Sequence, residues 1–162
     1  MPTLHIQFTR PQGGFKPLSS LIRVIQGTPY SHVRLHWVNS SGVPLVYEAS
    51  RSSVSFQGPL AQKNHPVDIL DDYSFELDRQ QYRKLVEVCM TYAGIDYGKL
   101  QLVGIGIRDL LNLEDNPFAD GNNSLICSEL VGRVLLEVLH MDICDDFDTI
   151  GPKELHKFLR GY

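Results

Sequence analysis

Three residues of different chemistry invite attention first: a cysteine, a histidine and a glutamate. Cys127 stands in Ser124-Leu-Ile-Cys-Ser-Glu-Leu-Val, where a polar loop gives way to the most apolar helical stretch of the chain. A thiol in the first turn of a helix meets unpaired backbone N–H groups and the positive end of the dipole, both of which favour the thiolate. The same N–H groups could hold the oxyanion of a tetrahedral intermediate. The plain alternative is a small buried hydrophobe, as most free cysteines are. Glu129 argues against a reactive thiol if its carboxylate points inward. Cys89 shares an apolar helical stripe with Leu85 and Val88 and reads as core. Cys144 lies in the acidic turn Asp142 to Asp146, where a thiolate is disfavoured.

A thiolate nucleophile needs a base within hydrogen-bond reach, and the base needs an orienting partner. His32 opens the segment Ser31-His-Val-Arg-Leu-His-Trp. Strand alternation puts His32, Arg34 and His36 on one face and Val33, Leu35 and Trp37 on the other. Glu48, in Leu-Val-Tyr-Glu-Ala-Ser, falls on the next strand, and cross-strand neighbours are about 5 Å apart. Taken singly, each is as readily a surface residue. A metal site built from His32, His36 and Cys127 is the rival reading, but no paired-ligand motif supports it.

The elements that must carry these residues follow from periodicity and turn chemistry. Leu4–Phe8 alternate as a strand, and Leu18, Leu21, Ile22 and Ile25 recur at helical spacing. Ser31–Val38, Val43–Ala49 and Ser53–Phe56 read as strands, the first two joined at Asn39-Ser-Ser-Gly. Val67–Leu70 and Ser74–Leu77 are expected as two further strands. Asp78 with Gln81 is a capping box opening a helix to Tyr92, closed by Gly94. Lys99–Leu111 is read as helix despite Gly104 and Gly106, and Leu113–Ser124 as a loop that could border the cleft. The helix Ile126–Met141 buries Leu130, Val131, Val134, Leu135 and Val138, and a last helix fits Pro152–Leu159. One helix, then strands, then helices is an α+β layout, with an antiparallel sheet packed against helices including the one that bears Cys127.

The chain has 162 residues, 43% of them hydrophobic and 21% charged, which fits a single domain over 1–162 with a full core. The net charge is −4 and the basic residues are scattered singly, so a nucleic-acid partner is not expected. Three cysteines without close pairing suggest neither a disulfide framework nor a metal ribbon, and a reducing compartment is favoured. There is no signal-peptide pattern at the N-terminus and no run of about 18 apolar residues, so the expectation is a cytoplasmic protein without an integral membrane segment. A phage or otherwise delivered cell-wall enzyme would fit equally. Oligomeric state is not legible.

The order histidine, acid, then cysteine at a late helix start resembles the circularly permuted branch of the NlpC/P60 (papain-like) cysteine hydrolases, which includes YiiX-like and lecithin:retinol-acyltransferase-like proteins. Tyr30-Ser-His-Val resembles its histidine strand and Val46-Tyr-Glu-Ala-Ser its acid strand. Gly94-Ile-Asp-Tyr-Gly resembles the G-x-x-Y segment, and Ile126-Cys-Ser-Glu-Leu-Val the C-S-E-[LF]-V nucleophile motif. Asp148-Thr-Ile-Gly-Pro-Lys-Glu-Leu resembles the closing T-P-x-x-L segment with Ile150-Gly151 inserted. The likeness spans roughly residues 20 to 160. It implies a permuted papain-like fold and a thiol hydrolase with Cys127 as nucleophile, His32 as base and Glu48 as its orienting acid, without cofactor or metal. Tyr97, Tyr30, Ser31, Arg34 and His36 are then candidates for the substrate cleft. The strand departs from the family's plainer His-Val-Gly/Ala-Ile-Tyr, so Arg34 and His36 either line the cleft, meet an anionic substrate group or face solvent. An amide or peptide bond is the favoured substrate, cell-wall peptide among the candidates. Acyl-lipid hydrolysis or acyl transfer, and a non-catalytic ligand-binding module, are the alternatives.

Overall fold

The computed structural model describes residues 1–13, 17–50, 52–111, 113–118, 124–143, 147 and 150–162. Cys144, Asp148 and Thr149 lie outside them, as does part of the 113–124 loop. The chain has an α+β fold built on one seven-stranded sheet, ordered β5-β1-β2-β3-β4-β6-β7. Its strands are β1 (Thr3–Pro11), β2 (His32–Val38), β3 (Pro44–Ser50), β4 (Ser53–Gln57), β5 (Val67–Glu76), β6 (Asp96–Tyr97) and β7 (Ser124–Leu125). All neighbours are antiparallel except β6 and β7. The helices are α1 (Pro17–Gln26), α2 (Pro59–Asn64), α3 (Arg79–Tyr92), α4 (Lys99–Leu111), α5 (Cys127–Leu139) and α6 (Pro152–Arg160).

Alternation divides the sheet into an apolar and a polar face. Leu4, Ile6 and Phe8 of β1, Val33, Leu35 and Trp37 of β2, and Tyr47 and Ala49 of β3 are buried against Leu130, Val131, Val134, Leu135 and Val138 of α5. The opposite face carries His32, Arg34 and Glu48. The Tyr47 hydroxyl donates to the Cys89 carbonyl at 2.6 Å, tying β3 to α3 through the core.

Local chemistry sets the connections. Asn39 Oδ1 accepts from the Ser41 and Val43 amides at 3.0 and 2.9 Å, and Gly42 takes φ +77°, which closes the β2–β3 hairpin. Asp78 and Gln81 form the expected reciprocal cap on α3 at 2.8 and 2.9 Å. Gly94, at φ +89°, turns the chain from α3 into β6. The glycines of α4 do not break it: a Cβ on Gly106 would stand 2.9 Å from Ile25 Cδ1, and one on Gly104 would strike Asn116. They let α1 and the following loop press on the helix backbone.

Where two strands were expected at Val67–Leu70 and Ser74–Leu77, one ten-residue strand runs through. The acidic pair between them looked like a break. In the edge strand β5, Asp72 instead engages His5 Nδ1 at 2.9 Å and Gln7 Nε2 at 3.0 Å, while Asp71 meets His156 Nε2 at 2.9 Å. Paired this way, the carboxylates hold the strand to β1 and to α6.

Candidate active site

Cys127 is the first residue of α5, after Ile126 in the N-cap position. The first hydrogen bond of the helix runs from the Leu130 amide to the Ile126 carbonyl at 3.0 Å, so the amides of the opening turn have no partner within the helix. The two residues beside the cysteine anchor this end. Ser128 Oγ donates to the Ile150 carbonyl at 2.8 Å, joining α5 to the approach to α6. The fully buried Glu129 carboxylate is held by Arg133, one turn on, at 2.7 and 3.2 Å. Its charge is thus directed along the helix toward Arg133, which answers the objection that it would oppose a thiolate. Sequence reasoning missed both anchors, although the i, i+4 spacing of Glu129 and Arg133 was a usable signal.

His32 opens β2. Its backbone is fixed from the β1 side by pairing with Thr9, while the β2–β3 ladder is paired only from Leu35/Tyr47 to Val38/Pro44. Continued, that register would set Arg34, not His32, opposite Glu48. Glu48 nevertheless reaches diagonally, and its Oε2 lies 2.8 Å from His32 Nε2. Its other oxygen accepts from Ser50 Oγ at 2.8 Å and from Gln57 Nε2. The Cys127 sulfur is the other group that acts on this imidazole, raising it together with Glu48. With Nε2 taken by Glu48, Nδ1 is the nitrogen left for the thiol. The structure thus brings Cys127, His32 and Glu48 into one chain of contacts.

The electrostatics follow from this arrangement. Burial opposes a charge on His32, but the Cys127 sulfur and the Glu48 carboxylate outweigh it and lift the imidazole from 6.5 to about 10. Burial likewise opposes ionisation of Glu48; His32, Ser50 and Arg34 reverse it and bring the carboxyl to about 2. Cys89, wholly buried and without such partners, has its thiol pushed up by desolvation.

A cleft of about 360 Å³ opens over the polar face, with Ser31, His32, Arg34, Glu48, Gln57 and Tyr97 in its wall. Burial first, then the Cys127 sulfur and the Glu48 carboxylate, push the Tyr97 hydroxyl up, which places that side chain beside both. Gly98 follows, where a Cβ would stand 2.9 Å from Ser124 Oγ, so the chain passes close under the β7 strand that leads to Cys127. Two candidates for the cleft lie elsewhere. The Tyr30 ring packs 5.0 Å from Phe8 and 4.8 Å from His156, in the apolar layer under α6. His36 lies further along β2, its ring 5.6 Å from that of His5. A larger cavity of about 700 Å³, between the start of β1 and α3, contains none of the three interacting residues. Cys127 itself is only 1% exposed and belongs to the main core, against which Tyr97 packs.

No protein-family model matches the chain, and no curated protein sequence matches it. Among solved structures it is similar to the crystal structure of the metalloprotein YiiX from Escherichia coli O157:H7 (DUF1105). The TM-score is 0.57, with 20% identity over 96% of this chain and 77% of that one. The chain therefore has a YiiX-like fold. Among the described residues no three His, Cys, Asp or Glu side chains converge as a metal site, and Glu48 and Cys127 engage His32 separately. What the fold sets in the cleft wall is an imidazole bonded to a carboxylate, with the buried Cys127 thiol acting on the imidazole from the core.

Proposed function

We propose that this protein is a cysteine-dependent hydrolase of amide or peptide bonds, of the permuted papain-like (NlpC/P60) kind. The observation that carries the reading is His32 hydrogen-bonded to Glu48, with the Cys127 sulfur at the start of α5 acting on the same imidazole. His32 takes the thiol proton, and Cys127 attacks the carbonyl carbon of a substrate lying in the cleft. The oxyanion that forms meets the backbone amides that open α5. His32 then protonates the leaving amine as the C–N bond breaks, leaving a thioester on Cys127. Water, deprotonated by His32, attacks the thioester and releases the acid. Glu48 keeps the imidazole oriented and stabilises its charged form in each half of the cycle.

The test is turnover of a panel of acyl-peptide, simple amide and acyl-lipid substrates by the wild type and by Cys127→Ala, with mass spectrometry for an acyl adduct on Cys127. Hydrolysis that Cys127→Ala abolishes supports the reading; hydrolysis that survives it, or the absence of any adduct and turnover, rejects it. Activity toward acyl lipids alone would reassign the substrate class while keeping the chemistry. With a substrate in hand, the double change His32→Ala/Glu48→Gln should cost scarcely more than His32→Ala, because an orienting group acts through the base.

A further inference from the structure

We propose that Arg34 makes the cleft selective for substrates bearing a single free carboxylate, held by the two Nη groups of its guanidinium while the scissile carbonyl lies at Cys127. The inference rests on the reading of Cys127 as nucleophile and adds a substrate class to it.

Arg34 is two residues beyond His32 on the same face of β2, a backbone separation of about 7 Å, and both line the cleft. The residue is only 9% exposed. One edge of its guanidinium is fixed: Nε donates to Gln7 Oε1 at 3.1 Å, and Gln7 Nε2 donates in turn to Asp72 at 3.0 Å. Among the described residues the Nη groups have neither a hydrogen-bond nor an ion-pair partner. The nearby Glu48 carboxylate is already taken up by His32, Ser50 and Gln57.

The Nη groups open on the cleft without a protein partner, and an anion entering it can engage both. The planar fork matches a carboxylate with two parallel N–H···O bonds, which a lysine could not supply. Charge balance points to a monoanion. Glu48 and Asp72 already stand near Arg34, so one guanidinium has no excess to offer a dianionic phosphate. A carboxylate one residue from the scissile bond is the arrangement that a peptide or acylamino acid presents.

The experiment compares two thiol probes of equal size on the full chain, N-chloroacetylglycine and N-chloroacetylglycinamide. In each, Cys127 Sγ bonds to the methylene carbon as chloride leaves, and mass spectrometry follows the thioether. Relative to their rates with free glutathione, the acid should be favoured in the wild type. Arg34→Gln should cut that preference about tenfold, the worth of a charge-assisted hydrogen bond, with Arg34→Lys falling between. An unchanged ratio in Arg34→Gln would overturn the proposal and leave the hydrolase reading standing. So would a wild-type preference for the aminomethylphosphonate analogue over the carboxylate. If Arg34→Gln does not fold, or neither probe labels Cys127, the wild-type guanidinium NMR signals decide. They should shift on titration with N-acetylglycine and not with N-acetylglycinamide; equal responses to the two would overturn the inference. Failure of labelling alone counts against Cys127 as nucleophile.

Discussion

Replacing Glu48 by Gln tests whether the carboxylate holds a charge on His32 or merely touches it. The two groups stand 2.8 Å apart, and their side chains keep only 12% and 18% of their exposure. Solvent screening is weak there, and at an effective dielectric of about 20 and a charge separation of about 4 Å the attraction is about 4 kcal/mol. That is a ceiling, because burying both ions works against it. The lift of the imidazole from 6.5 to about 10 is worth about 5 kcal/mol at about 1.4 kcal/mol per pH unit. Cys127 and Glu48 supply it between them. Glu48 supplies the smaller part, and Glu48→Gln should lower the His32 midpoint by more than about one pH unit. Cys127→Ala should lower it further, since the sulfur is the larger support, and the double variant should fall below 6.5, where burial acts alone. The assay is a titration of the His32 ring by carbon and nitrogen NMR. A midpoint in Glu48→Gln within half a unit of the wild type would refute the reasoning and remove Glu48 from the site.

Three further outcomes follow from the same contacts. The folded Glu48 carboxyl sits at about 2 against an ordinary 4.5. Its stabilisation is therefore present above pH 4.5 and lost as pH falls toward 2, a difference (4.5 − 2) worth about 3 kcal/mol. Urea midpoints measured down that window should drop more steeply for the wild type than for Glu48→Gln; parallel curves would contradict it. Tyr97→Ala should remove a ring packed against the cluster that holds Cys127 and speed its alkylation several-fold, while Cys89 stays unlabelled; an unchanged labelling rate would mean the thiol is reached another way. Arg133→Met takes a close partner from the fully buried Glu129 and should lower unfolding stability by about 3 kcal/mol, read from denaturant midpoints, whereas a loss under half of that would make the pair incidental.

What was legible in the sequence was whatever short-range chemistry determines. The Asn39–Gly42 hairpin, the Asp78–Gln81 cap and the apolar stripe of α5 each announce themselves within a few residues, and each is present. The elements that escaped depend on distant partners. α2 buries no residue and so has no stripe to read. β6 and β7 are two residues long and exist as strands only because Ser53, Asp96 and Ser124 come side by side. The sequence suggests two strands over the stretch of β5, and its continuity depends on Asp71 and Asp72 meeting His156 and His5, which lie far away in the chain. Tyr30 was assigned to the cleft from its place beside Ser31 and His32. Tyr30 lies before β2 begins, however, so strand alternation does not set its direction, and its ring belongs to the layer with Phe8 and His156.

The site owes its geometry to the place where two strands part. β2 stays paired to β1 as far as Thr9/His32, but its ladder with β3 ends at Leu35/Tyr47. His32 is thereby rigid on one side and unobstructed on the other. Glu48 is fixed independently through β4, paired with Ser55 and bonded to Gln57. The imidazole–carboxylate contact is therefore set by the sheet alone. The sulfur arrives from a different body, α5, whose start is secured by Ser128 on Ile150 and by Glu129 on Arg133. The Cys127-Ser-Glu segment thus divides its labour: the sulfur acts on His32, and the serine and glutamate that follow hold the helix end in place. A substitution at Ser128 or Glu129 would then act on the approach of the thiol to His32 and leave the His32–Glu48 bond as it is. Conversely, loosening β4 would disturb the carboxylate without moving the sulfur. A site assembled from two such independently held parts is sensitive to their relative placement, which is set by the packing of α5 on β2 and β3. The packing of α5 on the apolar face of the sheet therefore sets where the Cys127 thiol stands relative to His32.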